Sequence, residues 1–179
     1  MLAEARPYQP TFDPEKFQEL LIYIARNSED DLTFGAVKLN KILYYADFAA
    51  FRQLDKPITG ATYRKLNEGP APLEMLPQRR ALIEAGEAEV QKSVYFTGIQ
   101  HRLVAKRDPD REIFEPGELE IVDQVMAFFQ GKTAREVSDF SHREPGWAVA
   151  RDREVIPYDT VWLSSGPLSQ EAEETLFAE

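Results

Sequence analysis

The 179-residue sequence contains no cysteine and two histidines. The missing thiols exclude disulfides, thiolate zinc sites and thiol nucleophiles, and they indicate either a reducing compartment or a protein indifferent to redox conditions. The sequence has no glycine-rich phosphate loop, no dinucleotide-binding fingerprint and no His-Glu-x-x-His pair. Its longest apolar run, Leu20 to Ala25, is far shorter than the ~20 residues that span a bilayer. The N-terminus also lacks the apolar stretch of a secretory signal, so we expect a cytoplasmic protein without a membrane partner.

Positive charge is also scarce. The 21 Lys and Arg residues stand against 31 Asp and Glu, which gives a formal net charge of −10. This balance argues against direct binding of nucleic acid. With 43% apolar residues, the chain is long enough to bury one core and too short for two comfortable domains. We expect an N-terminal extension over residues 1–12 and a single domain over residues 13–179.

Hydrophobic spacing predicts helices at both ends of the chain. Asp13-Pro14 predicts the start of an amphipathic helix of about 14 residues. A second helix, apolar on nearly all sides and therefore central, is expected from near Thr33 towards Leu54. Four more helices are predicted in the last third of the chain: after Pro116, after the capping box Thr133-Ala134-Arg135-Glu136, at Glu144-Pro145, and from Ser169 to Leu176-Phe177.

The middle of the chain predicts short strands. They are expected at residues 61–66, 87–96 and 101–106, with a turn at residues 97–100. Pro70 is expected to stop the first strand, and a helix is predicted near residues 78–85. The predicted fold class is α+β, mostly α, as a compact helical domain with a small antiparallel sheet of about three short strands.

Few residues in the sequence suggest a catalytic or metal-binding site. Asp139, His142 and Glu144 lie close together, and such a group can hold a divalent metal or act as acid and base. The interpretation we favour is structural, with His142 closing one helix and Glu144 capping the next. Asp47 lies inside the apolar helix, either as an acid with a raised pKa or, as we favour, as a carboxylate paired with an arginine or facing outward. His101 is predicted to lie at the surface.

Charge is unevenly distributed along the sequence. Residues 33–65 contain six bases and two acids, whereas residues 108–123 contain seven acids and one base. The basic region is either a solvated face, which is the simpler interpretation, or a docking surface for a partner. Tyr44, Tyr45, Phe48 and Phe51 are core residues or interface anchors, and we favour the core.

Three stretches of the sequence together resemble the motifs of a known domain family. They are KLNKILYYADF (38–48), ITGATYRKLNEGP (58–70) and SHREPGW (141–147), the last followed by Ile156-Pro157-Tyr158. Their order and spacing resemble those of the Panacea domain, a family of SocA-like antitoxins and phage-associated proteins. The resemblance extends over about residues 17–163.

This resemblance implies an antitoxin of a two-component toxin–antitoxin system of bacteria or phages, with a possible place in phage defence. Such a protein neutralises a cognate toxin, encoded by an adjacent gene, by direct binding, without catalysis or a cofactor. In one branch of the family the protein is instead an adaptor that delivers its toxin to the ClpXP protease. A third alternative is a metal-dependent hydrolase centred on His142.

We expect most residues of these motifs to define the fold, with Lys38, Lys41 and Tyr45 nearer the rim. The fold-defining residues are expected to be Leu39, Leu43, Tyr44, Asp47, Tyr63, Gly69, Pro70, His142 and Trp147. Contacts with the toxin are expected among basic and aromatic groups around the second helix and its neighbours: Lys38, Lys41, Tyr45, Arg52, Arg64, Lys65 and Glu68.

Overall fold

The structure, a computed structural model, describes residues 6–95 and 98–163. Its helices are α1 (Pro14–Asn27), α2 (Ala36–Leu54), α3 (Met75–Glu84), α4 (Glu118–Phe129), α5 (Ala134–Ser141) and α6 (Pro145–Val149), followed by a 3-10 helix (Tyr158–Leu163). Its strands are β1 (Tyr63–Leu66), β2 (Gly69–Pro72), β3 (Ala88–Tyr95) and β4 (Gly98–Ala105). The predicted class, α+β and mostly α, is confirmed.

Helix α2 is the centre of the fold. Every residue from 41 to 51 is buried, and α2 contacts α4, α5, the strands β2 and β4, and the 3-10 helix. Its apolar side chains join those of α1 and α4 in one hydrophobic cluster. Helix α1 begins where the sequence predicts, because the Asp13 side chain accepts a hydrogen bond from the Lys16 amide at 2.9 Å. This central stretch of α2 is thus buried, as expected for a helix that is apolar on nearly all sides.

The strands form two separate antiparallel pairs instead of one three-stranded sheet. β1 pairs with β2 and β3 pairs with β4. Pro70 and Pro72 lie within β2, opposite Lys65 and Tyr63, so the expectation that Pro70 stops the strand is wrong. The backbones of Lys65 and Tyr63 bond instead to residues 153–156 on the other side of β1. The two prolines therefore occupy positions where β1 needs no amide donor.

The remaining elements follow the sequence closely, with small shifts. α3 starts at Met75, and Pro77 is accommodated in its first turn, where amides have no partner within the helix. Gly98–Gln100, predicted as part of a turn, belong to β4. The capping box at Thr133 and Glu136 is present at the start of α5. The predicted helix from Ser169 to Phe177 lies outside the described residues.

The helices of the two described ranges are too short or too polar to span a membrane.

Candidate functional site

The three sequence blocks meet at the turn between β1 and β2, where four side chains face four backbone carbonyls of the hairpin, those of residues 66, 67, 68 and 70. These side chains come from α2, α5 and α6 and lie 2.9–3.0 Å from the carbonyl oxygens. We call these four residues the hairpin clamp: Lys41, Ser138, His142 and Trp147.

Two members of the hairpin clamp hold the end of β1. The indole Nε1 of Trp147 donates to the carbonyl of Leu66 at 3.0 Å. The Nε2 of His142 lies 2.9 Å from the carbonyl oxygen of Asn67. Because a carbonyl oxygen can only accept, this ring nitrogen of His142 carries the proton. His142 is also the C-cap residue of α5, as the structural interpretation expects, so one residue ends the helix and holds the turn.

The other two members hold the start of β2. Ser138 Oγ donates to the carbonyl of Glu68 at 3.0 Å, and Lys41 Nζ donates to the carbonyl of Pro70 at 3.0 Å. Lys41 is 1% exposed. Burial lowers its pKa to about 7, against the opposing charge of Glu68. A buried lysine on the central helix therefore serves as a hydrogen-bond donor inside the protein.

Two members of the hairpin clamp also stack on each other. The rings of His142 and Trp147 lie 4.0 Å apart at an interplanar angle of 17°. Lys65 Nζ lies 4.0 Å from the centroid of the Trp147 ring, within the range of a cation–π interaction. Lys65 is partly exposed, so the stack presents a positive charge at the surface of β1.

Gly69 allows the hairpin to approach α2 and α5 closely. Its φ is +105°, in the region that favours glycine. A Cβ at this position would collide with Ser141 Oγ and Lys41 Cε. The Gly-Pro step of the second sequence block thus corresponds to a point where backbone and side chains leave no room for a methyl group.

A second buried polar group fixes the entry to β1. Asp47 is fully buried, and it accepts hydrogen bonds from the Thr59 amide at 2.7 Å, the Thr59 hydroxyl at 2.5 Å and the Tyr63 hydroxyl at 2.6 Å. Burial raises the pKa of Asp47 to about 6, while these hydrogen bonds oppose the shift. The favoured interpretation, a carboxylate that pairs with an arginine or faces outward, is wrong. Two hydroxyls and one backbone amide donate hydrogen bonds to the Asp47 carboxylate instead.

The expectation that Lys38, Lys41 and Tyr45 lie nearer the rim is also wrong, because each of the three is 1% exposed. Lys38 Nζ pairs with Asp31 at 2.8 Å, and the hydroxyl of Tyr45 donates to buried Glu144 at 2.9 Å. Partners inside the fold allow these polar groups to be buried.

Internal partners also account for most of the basic excess in residues 33–65. Besides Lys38 and Lys41, Lys56 pairs with Glu115 at 2.5 Å. Arg52 donates to the Val161 carbonyl at 3.2 Å, and its guanidinium lies over the ring of Trp162. Of the expected toxin contacts, Arg64, Lys65 and Glu68 are at least partly exposed on the β1–β2 hairpin, and Arg52 is partly exposed at the end of α2.

Asp139, His142 and Glu144 have separate partners despite their closeness in sequence. Exposed Asp139 faces Arg135 at 3.9 Å, whereas His142 holds the hairpin. Glu144 occupies the N-cap position of α6, but its carboxylate binds Tyr45 instead of capping the helix. Within residues 6–95 and 98–163, no three His, Asp or Glu side chains form a group that could hold a metal.

Residue-by-residue reasoning from the sequence missed Ser138 and Thr59. Ser138 stands four residues before His142, a spacing that places both on one helical face. Thr59 directly precedes Gly60, whose φ of +68° marks a turn. The remaining motif residues expected to define the fold, Leu39, Leu43 and Tyr44, are buried in the core. His101 is exposed on β4, as predicted.

The chain matches a known protein family. The family described as antitoxin SocA-like, Panacea domain, matches residues 39–148, a range that contains α2 from its fourth residue onward, both hairpins and the whole hairpin clamp. Comparison with curated proteins and with solved structures yields no match.

The close approach at Gly69 predicts a loss of stability on adding a methyl group. Gly69→Ala should lower the free energy of unfolding by about 2–4 kcal/mol, since it combines backbone strain with overpacking. Gly86→Ala is the matched control, because Gly86 has a φ of +74° but no atom within 4 Å of the added Cβ. Urea unfolding followed by circular dichroism measures both variants. Equal losses would contradict the claim that packing at Gly69 matters.

The buried Lys41 predicts a pH dependence of stability. Because its pKa is about 7 in the folded protein and near 10.4 when unfolded, the unfolded chain binds a proton that the folded chain lacks between these values. The free energy of unfolding should therefore rise from pH 7 to 9, by at most about 1.4 kcal/mol per pH unit from this group.

The Lys41→Met variant should show a smaller rise with pH than the wild type in urea unfolding at pH 7, 8 and 9. Lys92→Met, at an exposed position on β3, serves as the control and should keep the wild-type slope. Parallel curves for all three proteins would show that Lys41 does not titrate in this window.

Proposed function

The chain belongs to the SocA-like antitoxins of the Panacea domain family, and from this membership we propose that it neutralises a cognate protein toxin by direct binding. The observation that carries the proposal is the family match over residues 39–148, more than half of the chain. Neutralisation by direct binding requires a stable surface that contacts the toxin, and it requires no chemical reaction. The proposal therefore gives the chain no catalytic role, and it places both proteins in the cytoplasm, with the toxin encoded by the adjacent gene.

In this proposal, the motif residues hold the fold and the exposed residues beside them contact the toxin. Arg64, Lys65 and Glu68 lie on the hairpin that the clamp fixes in place, and Arg52 lies at the end of α2. Loops and hairpins held on a rigid scaffold are common binding surfaces. A neutralising complex of ordinary size would bury roughly 1,200–2,000 Å² in total, so residues beyond these four must contribute.

Growth of cells that express the neighbouring gene tests the proposal. Expression of that gene alone should stop growth, and co-expression of this chain should restore it. The purified proteins should also elute together in size-exclusion chromatography, because neutralisation by binding requires a complex. Toxicity without rescue, or rescue without a complex, would contradict the proposal.

A strain without ClpXP separates the proposal from the adaptor alternative. Neutralisation by binding predicts the same rescue with and without the protease, because the complex itself blocks the toxin. Rescue that is lost without ClpXP, with toxin levels that stay high, would assign the chain to the adaptor branch of the family.

A further inference from the structure

A groove lies between the start of α2, the β1–β2 hairpin and α3. It has a volume of about 250 Å³. Its inner surface includes buried Leu39, Ala71 and Met75, and its edge carries Leu73 and Leu76, which are 45% and 63% exposed. Arg64 and Arg79 also line it, and no acidic side chain is among its lining residues in the part of the chain that the structure describes. The groove therefore combines exposed leucines with two guanidinium groups.

These two arginines differ from the other arginines of similar burial. Six arginines are partly buried in the described ranges: Arg26, Arg52, Arg64, Arg79, Arg102 and Arg107. Four of the six have partners for their guanidinium groups: Glu29 for Arg26, the Val161 carbonyl for Arg52, backbone carbonyls of residues 28–31 for Arg102, and Glu19 and Glu87 for Arg107.

Arg64 and Arg79 are the two exceptions. Across residues 6–95 and 98–163, neither guanidinium has a hydrogen bond, an ion pair or an aromatic ring as its partner, and both line the same groove. Partial burial of a cation without a partner costs free energy, and a carboxylate from another molecule would recover it as a charge-assisted hydrogen bond. The exposed leucines would gain from apolar contact at the same time.

We propose that this groove binds an acidic segment of the toxin, with carboxylates at Arg64 and Arg79 and an apolar side chain against Leu73 and Leu76. The inference rests on the proposed antitoxin function and names the surface and the chemistry of its partner. Charge complementarity favours an acidic protein segment as the ligand of the groove. Two arginines suit two carboxylates, whereas the extended phosphate chain of a nucleic acid requires a broad basic surface that a protein with a net charge of −10 does not favour.

Charge reversal at adjacent positions of α3 tests the groove. Arg79→Glu should weaken binding of the purified product of the neighbouring gene at least about tenfold in Kd, because it replaces attraction with repulsion. Arg80→Glu makes the same change one residue later, at an exposed position that does not line the groove, and should bind like the wild type. Arg64→Glu should resemble Arg79→Glu. Circular dichroism melting of each variant confirms that it is folded.

The outcomes separate this inference from the proposed function. If the wild type neither binds nor rescues, both fail. If the wild type binds and rescues but all three variants bind equally well, the antitoxin function stands and the groove assignment is overturned. Weakening by Arg80→Glu to the same extent as Arg79→Glu would indicate a general charge effect and also overturn it.

Self-association gives one further outcome. If the wild type forms a dimer in light scattering and Arg79→Glu is monomeric, the groove binds a second copy of this chain and the assignment to a toxin segment is overturned. A monomeric wild type, together with weaker toxin binding by Arg79→Glu and Arg64→Glu alone, supports it.

Discussion

Backbone carbonyls at the β1–β2 turn need donors, and the position of the hairpin depends on how they are supplied. A short two-stranded hairpin is marginally stable by itself. Here the hairpin clamp, Lys41, Ser138, His142 and Trp147, donates to its carbonyls from three helices. Each such bond contributes a net of about 0.5–1.5 kcal/mol, and loss of a buried donor leaves a carbonyl without a partner. The stability of the hairpin therefore depends on its hydrogen bonds to the helices.

This arrangement separates the residues that hold the fold from those that are free to contact a partner. Lys41 and Asp47, on the central helix, point their polar groups inward to the hairpin and to the loop before it. Arg64 and Lys65, on the same hairpin, remain partly exposed. Leu76 and Arg79, on the next helix, line the groove together with Arg64. A partner surface of this kind can change its side chains without disturbing the carbonyl bonds beneath it.

Local signals in the sequence predicted much of the fold. The Asp13 cap, the apolar spacing of α2 and the capping box at Thr133 act within a few residues, so one sequence is enough to find them. Pairing between strands depends on contacts that are distant in sequence. The prolines of β2 looked like an interruption because their tolerance depends on residues 153–156, which take the hydrogen bonds on the other side of β1.

The candidate site was harder to predict because charged residues usually lie at the surface, whereas several of them are buried here. Lys38 and Lys41 were expected near the rim because lysine is rarely buried. Their partners, Asp31 and the Pro70 carbonyl, cannot be recognised from the sequence around α2. Within residues 6–95 and 98–163, Arg64 and Arg79 have no partner, and the sequence does not reveal this either, since it depends on what the fold places around each guanidinium.

Hydrogen–deuterium exchange of this chain, with and without the purified product of the neighbouring gene, tests the central claim most directly. The claim is that the hairpin is held by the core and presents the surface that the toxin occupies. Amides of β1, the following turn and α3, within residues 63–84, should exchange more slowly in the complex, while those of β3 and β4 should be unchanged. Slower exchange confined to β3 and β4, or no change anywhere in a complex that forms, would contradict the account.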